Sequence, residues 1–511
     1  MAGIGFELKK LFSRKGLVAT IRAYGYAAMV TAGPMILGFL LLLSAMFLAD
    51  LSGAPRHDRE LLVSMLTHAL LASLTVTSLF SMLTTRFCAD MIYEKRYDAI
   101  AASFYGSLSL MLVLGGLGYG IFLYFSGVKL LYQVLSFLFF MVLVVVWTEI
   151  NYLTMLKDYR SIIVAFAVSL AVALLLGILF IWVFHIEAVA ALMAAVIIGY
   201  GVMMLWYFFL INRYFPEGFG TSMRFLAWFD TTPQLGFTGF FVTLGLFGHL
   251  VIMWWASPLQ VQVEGLFYGA PTYDVPAIFA FFSILITTVN FVTSVETRFY
   301  PRYKEYFSLF NDGGSIENLN EAEDNMLRVL SEELGYLALK QLFSTLLFII
   351  LGTILLPQLP LGFNSEMLRI YRTLCVGYAF YAVGNSVMLV SQYFSDMGGA
   401  LLDSAVFAVT ANAASLLLAR FCHAFYGFGF LIGSAVFCLT AWLRLCAYLR
   451  KLKYNVLSRQ PMLDVRKAGL FTRMSNALEG RAARVQRRRK AYEARAQEKA
   501  ADRRESAQNE R

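Results

Sequence analysis

One stretch of this 511-residue chain spaces its polar side chains as a binding surface would. Ser283, Thr287, Asn290, Ser294 and Thr297 recur at intervals of 4, 3, 4 and 3, which puts all five on one face of a helix. Thr288, Thr293 and Glu296 widen that face. An earlier stretch echoes it with Ser64, His68, Thr75, Ser78 and Thr85, interrupted by Leu71 and Met82. In an apolar setting such a stripe has two readings. Hydroxyls and amides allow helices to approach closely and hydrogen-bond across the contact, or they line a water-filled conduit. Asn385 and Asn412 lie deep in other apolar runs and need partners there.

Other chemistries lack their signatures. There is no P-loop, HExxH or GxSxG, and the five histidines do not pair at metal-ligand spacing, so no catalytic, metal or cofactor site is expected. The segment GFGFLIG at Gly427–Gly433 is a small-residue helix entry, because no strand precedes it. Cys88, Cys375, Cys422, Cys438 and Cys446 form no CxxC pair and indicate neither a disulfide framework nor a zinc site. The ionisable residues within or beside apolar runs are Glu149, Glu296 and Asp403, with Arg86 and Arg298 at run ends. All five are candidates for a charged vestibule, and each acid lies close enough to a run end to reach the interface.

These residues belong to a membrane protein. The chain is 59% apolar and 15% charged, with a mean hydropathy of +0.65. Soluble domains carry about 25% charged residues, so a water-soluble enzyme is excluded. Twelve runs reach the ~20 residues a bilayer-spanning helix needs. They are Tyr24–Leu51, Leu61–Thr85, Ala99–Phe125, Leu130–Leu153, Ser161–Phe184 and Ala188–Ile211, then Leu235–Ala256, Val275–Thr297, Leu337–Leu356, Leu368–Tyr393, Ala400–Phe421 and Gly427–Ala447. With the N-terminus inside, inner segments hold 36 of the 42 Lys and Arg and outer segments 6. The positive-inside rule therefore predicts both termini in the cytoplasm.

The net charge of +9 is local. Residues 450–511 hold 18 basic and 7 acidic residues, leaving 24 and 26 in the body. That tail lacks an apolar face and predicts poor order and attraction to anionic lipid headgroups. It carries no base-stacking aromatic set, so nucleic acid is not expected as a partner. Residues 1–22 place Ile4, Leu8, Leu11 and Phe12 on one face, as in a helix lying on the inner leaflet. Residues 311–335 hold seven acids and one base, with an apolar stripe at Leu327, Leu330, Leu334 and Leu337. They read as an amphipathic linker capped near Asn320, or as an acidic docking surface.

The runs fall into two sets of six. Thr85-Arg86-Phe87 at the end of the second returns as Thr297-Arg298-Phe299 at the end of the eighth, 212 residues later. Six spans per set make the repeat parallel, about an axis along the membrane normal. The predicted units are an amphipathic helix at 1–22, a six-helix lobe at 23–211 and a linker at 212–234. A second lobe at 235–449 with an acidic insert at 300–336 follows, then the tail at 450–511.

The opening MAGIGFELKKLF, the segment TRFCADMIYEKRYD (Thr85–Asp98) and ETRFYPRYKEYF (Glu296–Phe307) resemble the PelG family of bacterial exopolysaccharide exporters over roughly residues 1–455. The resemblance implies an all-α fold of two six-helix lobes around a central cavity, as in the MATE-like flippases of the MOP superfamily. It implies export of an N-acetylgalactosamine-rich polysaccharide across the inner membrane for biofilm matrix. It also implies a cytoplasmic glycosyltransferase partner, PelF, and membrane partners PelD and PelE. It would put the polar stripes on the cavity wall. Two other readings stand beside it: a cation-coupled small-molecule antiporter of the same fold, and a non-transporting scaffold for a synthase.

Overall fold

The protein is described here by a computed structural model covering residues 38–154, 159–215, 222–359, 362–458 and 469–480. The amphipathic stretch at 1–22, the start of the first apolar run and the basic end of the tail at 481–511 lie outside the described residues.

Among the described residues, eleven helices are long and apolar enough to cross a membrane. Without water to satisfy backbone groups, a helix is the structure that a lipid-embedded apolar run adopts. In chain order the elements begin with α1 (Gly38–Leu51), the described part of the first run, and α2 (Arg56–Tyr93). Next come α3 (Asp98–Phe125), α4 (Leu130–Leu153) and α5 (Tyr159–Ile178, continued by a π-helical turn at Leu179–Val183). A sixth helix, α6 (Ala188–Tyr214), closes this set. A short α7 (Ala227–Thr231) leads into α8 (Pro233–Ala256). On α3, Val113, Leu117, Ile121 and Tyr124 recur at helical spacing and are exposed, the mark of a lipid-facing stripe.

The second set departs from simple spans. After α8 comes a hairpin of β1 (Val261–Glu264) and β2 (Phe267–Gly269), which hydropathy did not anticipate. The predicted span Val275–Thr297 is a broken rod. It comprises α9 (Pro271–Phe281), a 3-10 turn (Phe282–Ile284), α10 (Leu285–Ser294), a π turn (Val295–Phe299) and α11 (Tyr300–Asp312). The acidic segment is not a separate linker. It is the first half of α12 (Ile316–Leu355), 40 residues or about 60 Å long, twice the ~30 Å of bilayer hydrocarbon. The reason is phase: Leu330, Leu334 and Leu337 are buried on one line that runs into the membrane half with no proline to stop it. Its cap is Ser315, whose side chain accepts from the Asn318 N–H, rather than Asn320.

α13 (Ser365–Tyr393), α14 (Met397–Phe421) and α15 (Phe428–Leu449) complete the bundle. A short α16 (Leu452–Ser458) and a further helix at 470–480, here α17, follow. α8 is the crossing point, packing on α14 and on α2. Glycines make the contact close: a Cβ on Gly239 would lie 2.6 Å from the Ser78 carbonyl oxygen, and one on Gly245 2.3 Å from the Phe407 ring.

The bundle has two faces. The hairpin face carries β1 and β2; the Ser64 hydroxyl of α2 reaches the Tyr268 carbonyl, and Leu266 N–H donates to the Ser126 carbonyl at 2.8 Å. The tail face carries the end of α2, α7 and α17.

Candidate functional site

Most of the stripe on α10 and its flanking turns forms a seam with α12. The Thr287 hydroxyl donates to the Gln341 Oε1, and the Ser283 carbonyl accepts from Ser344 Oγ at 3.0 Å and Gln341 Nε2 at 3.4 Å. The Ser294 hydroxyl donates to Glu333, which also pairs with Arg298 at 2.7 Å. Ser283 and Thr287 are fully buried in this seam. Asn290 is half-exposed; its Nδ2 returns to the Ile286 carbonyl, while its Oδ1 accepts from Lys340 Nζ at 3.1 Å. Thr297 bonds the Thr293 carbonyl within its own turn. The side chain of Glu296 lies outside the described residues. Three of the five stripe side chains therefore hydrogen-bond α12, while the Thr287 and Ser283 groups are closed from solvent.

The echo on α2 is divided in the same way. Thr75, Ser78 and Thr85 are half-buried, and their hydroxyls bond carbonyls of their own helix. His68 is buried under aromatic rings, stacked on Trp254 at 4.5 Å and Phe122 at 5.9 Å and edge-on to Phe267 at 5.1 Å. That cluster joins α2, α3, α8 and the hairpin, so His68 belongs to the closure of the hairpin face. Asn412 ties α14 to α8 through the Leu244 carbonyl at 3.1 Å. Asn385 is half-buried on α13.

Two of the three acids are enclosed by neighbouring helices. Glu149 on α4 and Asp403 on α14 are fully buried, and none of their four carboxylate oxygens has a hydrogen-bond partner among the described residues. Both stand within two turns of a helix end, and packing of the neighbouring helices, not distance along the helix, sets their exposure. Arg298 binds Glu333 on α12, and of the four vestibule candidates with described side chains only Arg86 borders the cavity described next.

That cavity, about 510 Å³, opens on the tail face between the end of α2, α7 and α17. Arg86 pairs with Asp90 at 3.2 Å, and Asp90 also accepts the Trp228 Nε1–H at 2.8 Å. α17 is held at both ends. At its start Asp230 accepts from the Phe471 N–H at 3.2 Å and from the Thr472 N–H and hydroxyl, both at 2.6 Å. At its end Glu479 binds Arg224 at 3.0 Å and the Ser222 hydroxyl at 2.8 Å. Phe471 stacks on Phe229 at 5.1 Å between the two. Burial alone would push the Asp230 carboxyl up, but the Thr472 hydroxyl and the Thr472, Phe471 and Gly469 N–H groups outweigh it and hold it below 3.8.

Sequence reading missed Trp228, Asp230, Arg224 and Glu479. The one signal present was local: Gly469 before an amphipathic turn with Phe471 and Thr472, inside a tail whose average composition hid it. Among the described residues no cluster of three His, Cys, Asp or Glu could hold a metal.

Comparison with known proteins bears on the whole body. Residues 1–457 match PelG, described as "Putative exopolysaccharide Exporter (EPS-E)". No curated protein matches the chain. Among solved structures, an inward-facing multidrug resistance MATE family transporter of the MOP superfamily superposes with a TM-score of 0.56 at 14% identity, covering 84% of this chain and 99% of its own. A MATE in the bent conformation gives 0.55 at 14% identity, covering 85% and 97%. The outward-facing form of the MATE family transporter gives 0.52 at 14%, covering 84% and 96%. At these identities the likeness is one of fold: an all-α polytopic membrane protein of MATE/MOP type.

Proposed function

We propose that this chain, which belongs to the PelG family, carries an N-acetylgalactosamine-rich exopolysaccharide from cytoplasm to periplasm across a bacterial inner membrane. The observation that carries the reading is the family match over residues 1–457, laid on a fold shared with transporters. The tail face is cytoplasmic on the basic-residue count, and the hairpin face periplasmic. The lobes at 23–211 and 235–449 meet along α8 and α2, and the polymer path runs near that junction. Asn290, Thr297, Thr75, Ser78 and Thr85, the stripe residues with half-exposed side chains not bonded to carboxylates, are its wall candidates. PelF on the cytoplasmic side, with PelD and PelE in the membrane, would supply and assist the polymer.

The test uses sealed inverted vesicles containing the chain and its partners, fed radiolabelled UDP-sugar. Polymer accumulates inside the vesicles, protected from added glycosidase. Equal protection in vesicles lacking the chain overturns the reading.

Glu149 and Asp403 favour a second reading, cation-coupled antiport. A carboxyl buried in a membrane interior without a hydrogen-bond partner either stays protonated or takes up a cation on ionising. Asp403 has the Arg444 charge within electrostatic reach, Glu149 has no such partner among the described residues, and residues of this kind mark ion pathways by default. Cation-gradient-driven flux of a small solute in vesicles free of polymer supports it, and its absence removes it.

A further inference from the structure

We propose that the tail-face cavity is a saccharide-binding vestibule with α17 as one wall, where the polymer enters before crossing; this rests on the export reading. Its 510 Å³ falls within the ~300–1,000 Å³ of ligand-binding pockets.

The lining selects the chemistry. Three bases, Arg86, Arg96 and Arg224, face three acids, Asp90, Glu94 and Glu479. Each base is ion-paired to one of them, at 3.2, 3.7 and 3.0 Å. No guanidinium is left over to clamp a phosphate, which recognition of that group demands. No excess of carboxylate draws a polycation either. Between the pairs stand neutral donors and acceptors, Thr231, Thr232 and Asn476, and the apolar Phe87 and Trp228. A lining of planar ion pairs, hydroxyls and an amide matches the hydroxyl-rich rim of a sugar, while the rings of Phe87 and Trp228, buried and packed edge-to-face at 4.7 Å, form the floor behind it. A neutral or N-acylated hexose polymer is the class that fits.

α17 lies beyond residue 457, where the family match ends, so this wall is additional to the family body. It is seated by contacts at both ends, through Asp230 and through Arg224. Ser475, buried at 2% exposure, and Asn476 then border the cavity.

The experiment titrates a short N-acetylhexosamine oligosaccharide into the purified full chain in nanodiscs by calorimetry. Arg86→Gln and Asn476→Leu each weaken binding by about tenfold, the loss of one charge-assisted or amide hydrogen bond. Arg302→Gln, whose side chain pairs with Glu305 away from the cavity, binds as the parent does. Truncation after Ser458 removes the wall and weakens binding in the same way. Unchanged affinity in all three variants overturns the proposal, as does displacement of the sugar by inorganic phosphate at equal concentration. Vesicle export separates this failure from failure of the function: export by a parent chain that binds no oligosaccharide removes the vestibule and leaves the exporter. Loss of both removes both.

Discussion

Asp230 and Thr472 stand 242 residues apart in sequence, yet the Asp230 carboxylate accepts two hydrogen bonds of 2.6 Å from Thr472, one from its N–H and one from its hydroxyl. The contact fastens the tail to the segment joining the two halves of the bundle. Earlier in the tail, Lys453 pairs with Glu323 of α12 at 3.0 Å. The stretch after the last span thus touches the second half through α16 and the α6–α8 connection through α17.

Removing this cap loosens α17. Asp230→Ala costs about 1 kcal/mol, the ordinary worth of an N-cap, and amide exchange of residues 470–480 rises while the exchange of α2 and α8 stays the same. Exchange that stays unchanged at 470–480 means that Phe471 and Glu479 hold the helix unaided.

Acid should undo the same contact. Asp230 is held below its ordinary 3.8, so its contribution is fully present above that value and is lost as pH falls through the lower folded value. Docking of α17 is therefore constant from pH 5 to 8, as estimated from the ordinary titration range of a carboxylate, and weakens only in strong acid. A transition near neutrality in the exchange of residues 470–480 contradicts this assignment.

The α10–α12 seam predicts that filling it harms folding. Thr287→Phe buries an oversized side chain against Gln341, costing about 1–3 kcal/mol, so folded yield and export fall together. A double-mutant cycle between Ser294 and Glu333 gives a coupling of about 0.6 kcal/mol, typical of hydrogen bonds between membrane helices. Asn290→Leu, at a half-exposed position, retains folded yield; lost export in that variant supports a conduit wall there, and full export removes Asn290 from the path.

Gly265 closes the hairpin face. Its φ is +57°, and a Cβ would stand 1.7 Å from the Ser126 carbonyl oxygen. Gly265→Ala therefore lowers the melting temperature and frees the hairpin from the turn after α3, read as faster labelling of a cysteine placed at Gln262. An unchanged melting temperature means that the hairpin is not tied to the bundle.

Topology is the broadest test. Reporter fusions at Pro55 and Gln358 report outside, and a fusion at Leu463 reports inside, in keeping with the 36-to-6 distribution of basic residues. Reversal of any one breaks the orientation.

Composition and hydropathy alone determined the class and eleven of the spans, because lipid forces an apolar run of ~20 residues into a helix whatever its neighbours are. The family was legible only in the motifs at the N-terminus, Thr85–Asp98 and Glu296–Phe307. Leu130–Leu153 has the same ends in sequence and in structure. What a polar residue faces was a different matter. Period 3.6 put Ser283, Thr287 and Ser294 on one line, but only the tertiary fold decided that this line meets Gln341, Ser344 and Glu333 of α12. Glu149 and Asp403 were readable as acids near span ends, whereas their burial depends on helices distant in sequence. The tail-face cavity was invisible for the same reason: Arg86, Trp228 and Asn476 come from three separate segments, and no local pattern records that a twelve-residue stretch of a basic tail folds back to Asp230.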